Sequence, residues 1–158
     1  MTEADWAKYL EAAEKSPKQV AMAVTALPER TLRYKAAPEG WCILEILGIL
    51  ADSELVYAHR LRQMLADVNP VIAPVDQDAW AKTLGHTETP PAEMIALYGL
   101  NRHANLRLLR RLQPEHLEKS AYHPELKKDV TVAEYVENIG AHGAMRLQQI
   151  EELKRQAK

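Results

Sequence analysis

The sequence predicts an all-α protein, a four-helix bundle with one long loop between its second and third helices. Three observations carry this. Within Trp41 to Ala66, apolar residues recur at Ile43, Ile46, Leu47, Leu50, Tyr57, Leu61 and Leu65, the spacing of a helix face. The C-terminal stretch repeats the pattern with Val132, Tyr135, Val136, Ile139, Ile150 and Leu153. No stretch shows the alternation of a strand. A chain of 158 residues suffices for one domain, residues 1–158, with a real core.

Each element has its own signals. Thr2 can cap a first turn carrying Trp6, Tyr9 and Leu10. Ser16-Pro17-Lys18-Gln19 reads as a restart, with Ser16 as N-cap and Pro17 at the first helical position. Val20, Val24 and Leu27 continue the apolar face until Pro28. Arg30 to Gly40 is a connector in which Leu32 and Tyr34 are expected to form a short extended piece. From Asp67 to Thr89 runs the longest irregular segment, with one helical turn over PVDQDAW and Trp80 as its anchor. Loops of that length are usually functional or disordered, and the Trp favours an ordered lid. Thr89-Pro90-Pro91 opens the third helix, with Met94, Leu97, Tyr98, Leu108 and Leu112, and Pro114 stops it. A polar link follows to Asp129. Thr131-Val132-Ala133-Glu134 is a capping box that starts the last helix, which runs almost to Lys158.

Two helices carry polar groups where burial is expected. Asp52, Ser53 and Glu54 interrupt the second helix, and His142 and Arg146 fall on the apolar stripe of the fourth. Buried polar groups are costly unless partnered, so the two faces suggest a shared polar pocket inside the bundle.

Composition excludes several classes. The net charge of −2 and scattered Lys and Arg give no basic face for nucleic acid. No apolar run approaches the ~20 residues of a membrane span. The N-terminus lacks a signal peptide's basic start and apolar core. Cys42 is the only cysteine, so no intrachain disulfide forms. A cytoplasmic location is expected.

The run WCILEILGILADSE resembles the second-helix signature of the DinB-like family: Trp, a few apolar residues, Glu-Ile-Leu, then Gly-His-Leu-Ala-Asp-Ser-Glu. DQDAW at Asp76–Trp80 matches the family's loop, NRHANLRLLRRL its third helix, and VTVAEYVENIGAHGAMRLQQIEEL its fourth. The resemblance covers nearly the whole chain, in order. It implies a four-helix bundle, often dimeric, with a divalent metal held by three histidines. One histidine comes from the second helix and two, four residues apart, from the fourth. Characterised relatives include enzymes that transfer or hydrolyse with small thiols. In this chain the three ligand positions fall on Ile49, His142 and Arg146. Ile49 has no lone pair, and Arg146 stays protonated and repels a cation.

The resulting expectation is a DinB-like protein that has lost the three-His site, with no cofactor. Glu45, Asp52, His142 and Arg146 form the candidate residual pocket, and a homodimer is expected. For Arg146 two readings are open. Its guanidinium can receive a small anionic ligand in fork geometry. Alternatively it pairs internally with Asp52 or Glu45, the weightier reading because a buried charge must be paired. An alternative function is a metal-dependent small-thiol transferase or hydrolase, holding Zn²⁺ or Ni²⁺ through a ligand set rebuilt from His142, Asp52 and His103. A third is a homodimeric interaction module with an inert pocket. His59 lies ~15 Å beyond Ile49 along its helix and cannot substitute. His86, His116 and His123 read as surface residues of the connectors, and Cys42 as a buried bystander. Asn101 and Asn105 receive no role.

Overall fold

The computed structural model describes residues 1–158. In chain order the elements are α1 (Glu3–Val24), the single turn α2 (Glu29–Leu32), α3 (Ile43–Ala66), the short α4 (Gln77–Thr83) and α5 (Pro91–Leu109). A hairpin of β1 (Ser120–His123) and β2 (Lys128–Thr131) leads into α6 (Val132–Gln156). The four long helices make the bundle. α1 packs on α5 and α6, and α3 packs on the same two, so α1 and α3 face each other across the diagonal. No helix is long and apolar enough to cross a membrane.

Helix ends follow local chemistry. Thr2 accepts from the Asp5 amide and Thr131 from that of Glu134, each closing a reciprocal capping box that satisfies orphan N–H groups. Pro91 sits at the first turn of α5, where its missing N–H costs nothing.

Four expectations are corrected. α1 does not restart at Ser16. It runs unbroken through Pro17, and Ser16 is buried with its hydroxyl 2.7 Å from that of Tyr98. Leu32 and Tyr34 form no extended piece: residues 29–32 make the helical turn α2. Strand structure exists after all, because β1 and β2 pair antiparallel with Ala121 opposite Val130, both buried. Four-residue strands offer too few positions for alternation to show in sequence. In the segment from Asp67 to Thr89, Trp80 is only half-buried. Ile72, Ala81 and His86 are the buried anchors, and the Ile72 amide donates to the Tyr122 carbonyl of β1 at 2.9 Å.

The core divides into two apolar clusters at the two ends of the bundle. One gathers Val20, Ile43, Leu47, Met94, Tyr98 and Ile150. The other gathers Ala13, Leu61, Leu106, Leu109, Val136 and Ile139. On every long helix the stretch between these residues carries buried polar groups: Ser16 on α1, Ser53 and Glu54 on α3, Arg102 on α5, and His142 and Arg146 on α6. A polar layer crosses the bundle at its middle.

Candidate functional site

His142 and Arg146 stand four residues apart on α6, hence on one face. Both are over nine-tenths buried. The Arg146 Nε–H donates to His142 Nε2 at 3.2 Å, which leaves the neutral imidazole's proton on Nδ1. Burial, with the nearby guanidinium of Arg146 and then that of Arg102, pushes the His142 pKa down to about 3. His142 also meets the Tyr57 ring edge-on, with centroids 5.9 Å apart.

The rest of the Arg146 guanidinium is held by neutral groups. Nη1 donates to Gln149 Oε1 at 2.8 Å and Nη2 to Gln77 Oε1 at 2.5 Å. Its carbon lies 4.4 Å from the centroid of Trp41, a cation–π contact. Gln77 in turn donates to Ser53 Oγ at 3.3 Å, which fixes its amide orientation. Trp41 Nε1 donates to Asp78 Oδ1 at 2.9 Å, so α4 supplies both Gln77 and a clamp on the indole. No carboxylate lies within ion-pair distance of Arg146. Burial accordingly pulls its pKa below the ordinary arginine value.

The four candidate pocket residues therefore do not converge, and the expected ion pair of Arg146 with Asp52 or Glu45 is absent. Glu45 turns to the start of its own helix. It accepts from the Cys42 amide at 2.7 Å and the Lys35 ammonium at 2.8 Å, because the orphan N–H of a helix start is a nearer partner. Burial works against its charge, yet these partners hold its pKa below the usual carboxylate range. Asp52 bonds His86 Nε2 at 2.8 Å. Ile49 is fully buried. Only His142 and Arg146 meet.

His86 is no surface residue. It is buried, with its ring over Gly48, where a Cβ would lie 2.1 Å from His86 Cγ. Gly85 makes this possible by adopting φ +71°, which turns the chain inward. The proposed partner His103 is exposed on α5, as is His59 on α3. Cys42 is buried, and burial raises its thiol pKa.

Sequence reasoning missed the densest part of the polar layer. Arg102 Nη2 donates to Glu54 Oε1 at 2.7 Å, and both side chains are essentially fully buried. Asn105 Nδ2 donates to Glu54 Oε2 and to the Glu54 carbonyl, both at 3.0 Å. Arg102 Nη1 reaches the carbonyls of Ala13, at 3.2 Å, and Ile139. The Ala13 carbonyl is free because its regular helix partner is Pro17, which has no N–H. The signal was available: Met94, Tyr98, Arg102, Asn105 and Leu109 share one helical stripe.

Arg146 lines a cleft of ≈ 890 Å³ at the bundle's surface, with Trp41, Gln77, Asp78 and Gln149 around it. Val75, Asp76, Gln77 and Asp78 bring the long segment before α5 into its wall.

Fold and site together define a helical-bundle protein with a buried polar layer and a cleft above its arginine. The DinB superfamily matches residues 12–150, and the chain belongs to it. It is 26% identical over 125 residues to the protein named "Putative metal-dependent hydrolase YfiT" from Bacillus subtilis, covering 79% of this chain and 70% of that one. A similarly named protein of Oceanobacillus iheyensis is 25% identical over 92% of this chain and 84% of its own length. The solved structure of Bacillus subtilis YfiT superposes with a TM-score of 0.93 at 24% identity, covering 99% of this chain and 89% of that one. That protein is described as a probable metal-dependent hydrolase with an unusual four-helix bundle topology.

No three His, Cys, Asp or Glu side chains of this chain come together as a metal site.

Proposed function

We propose that this protein binds a small molecule through an anionic group received by Arg146, and that it does not use the divalent metal of its relatives' names. The donor set supports the second part. Ile49 offers no lone pair, Arg146 is a fixed cation, and the Nε2 lone pair of His142 is engaged by Arg146 itself. These residues do not fit a divalent cation.

The observation that carries the binding reading is the state of the guanidinium. Arginine has five N–H donors. Three are used, one each on Nε, Nη1 and Nη2, which leaves two, one on each terminal nitrogen. A buried cation with no carboxylate partner and a donor spare on each side of its fork suits the two oxygens of a carboxylate or phosphate. Trp41, Gln77 and Gln149 hold it in place before any ligand arrives, so little ordering cost remains at binding.

Thermal unfolding with acetate, caproate or phosphate in the buffer tests this. A rise in melting temperature with anion concentration is expected, and Arg146→Met should abolish it. Arg146→Lys, which keeps the charge without the fork, should retain only part of the response. Unchanged melting temperatures for the wild-type protein, or an equal response in Arg146→Met, would overturn the reading. The relatives' names favour a second reading, metal-dependent hydrolysis, which requires this chain to retain metal through other donors.

A further inference from the structure

The charge around the cleft says more about the ligand than Arg146 does alone. Besides that one cation, its lining carries five carboxylates: Glu39, Asp76, Asp78, Glu125 and Glu152. Two are compensated from outside the cleft, Glu39 by Lys82 at 3.0 Å and Glu152 by Arg155. Asp76 and Asp78 accept only neutral N–H groups, those of Ala79 and Trp41, and Glu125 has no polar partner at all. Three carboxylates without an ion-pair partner thus line the approach to one buried guanidinium, Asp76 and Asp78 feeling only the more distant charge of Lys82. A simple anion would gain from Arg146 and lose to this acidic wall. A ligand that also carries a cation gains from both.

We infer that the cleft takes a zwitterion, a small molecule with a carboxylate or similar anion for Arg146 and an amine or guanidine for Asp76, Asp78 and Glu125. This rests on the proposed role of Arg146 as anion receptor and adds the second recognition element. Both poles are fixed by the bundle's own elements. Arg146 is anchored on α6 by Gln149 and across to α4 by Gln77, while Asp76 caps α4 and Asp78 holds Trp41 from the same helix. The indole contributes an apolar wall between the two poles, which suits a ligand whose charged ends are joined by a hydrocarbon or ring spacer.

Matched probes separate the two charges. Isothermal titration calorimetry would compare caproate, ε-aminocaproate and n-hexylamine, with butyrate and γ-aminobutyrate as a shorter pair. The zwitterion of at least one pair should bind about fivefold tighter than its carboxylate partner, the effect of one added exposed ion pair. Glu125→Gln, on an exposed wall where folding is not at stake, should reduce that advantage and leave carboxylate binding unweakened. Carboxylates that bind as well as their zwitterions in both pairs would overturn the inference and leave Arg146 as an anion receptor. Amine binding that persists in Arg146→Met with no carboxylate requirement, or no binding of any probe, would overturn the inference and the anion reading together.

Discussion

Arg146 occupies the Nε2 lone pair of His142, and that single hydrogen bond fixes what the imidazole can do. The ring stays neutral because burial and Arg146 hold its pKa at about 3, against an ordinary value of 6.5. The linkage to stability has a definite sign. Above the unfolded value of 6.5 both states carry a neutral ring and its contribution is complete. As pH falls from there towards about 3, the unfolded chain binds a proton that the folded chain refuses, so stability declines through that window. Urea denaturation across this range should show that slope in the wild-type protein and a shallower one in His142→Asn. Gly48 makes a second residue-scale prediction. A Cβ there would collide with His86 at 2.1 Å, so Gly48→Ala should destabilise by ~1–3 kcal/mol. Gly48→Ala/His86→Ala should recover part of that loss, measured by the same denaturation.

At the scale of elements, α1 and α5 are coupled through a missing hydrogen bond. Pro17 inside α1 gives up its N–H, and Arg102 of α5 takes the carbonyl of Ala13 left behind. An interior proline ordinarily costs ~3 kcal/mol or more, and here the arginine offsets part of that. Pro17→Ala should therefore stabilise the protein by clearly less than ~3 kcal/mol. Breaking the Glu54–Arg102 pair from one side leaves an uncompensated buried charge. Arg102→Met should cost ~3–5 kcal/mol, and Glu54→Gln/Arg102→Met clearly less than the sum of the two single changes. The helices that could be read from sequence were those whose signals are local, such as the Thr131 capping box and the Pro90-Pro91 start. The continuity of α1 could not, because Ser16-Pro17 is by itself a sound helix start. Only the Tyr98 and Arg102 partners, far away in sequence, explain why the chain runs straight through it.

At the scale of the molecule, the sequence showed that polar groups interrupt two apolar stripes and so implied a pocket between α3 and α6. It could not show how those groups share partners. Glu45 was drawn to the start of α3, Asp52 to a histidine brought in by a left-handed glycine, and Glu54 to an arginine and an asparagine on α5. What remained for Arg146 was a set of neutral acceptors, two of them glutamines that nothing in a helical stripe distinguishes from surface residues. The polar layer is thus two systems side by side. The Glu54–Arg102–Asn105 network lies within the core and reaches the backbone of α1 and α6 through Arg102, and the His142–Arg146–Gln77 system opens to the cleft.

The central proposal is that Arg146, a guanidinium, stands where a metal ligand is expected from the family resemblance. Metal content, by inductively coupled plasma mass spectrometry, tests it most directly, on purified protein exposed to Zn²⁺, Ni²⁺ and Mn²⁺ and then dialysed. The wild-type chain is expected to retain no stoichiometric metal. Ile49→His/Arg146→His, which places an imidazole beside His142 at each position expected from the family resemblance, is expected to retain roughly one ion per chain, the capacity of one three-histidine site. Metal near one per chain in the wild-type protein, lost in His142→Ala, would contradict the account and restore the metal-dependent reading.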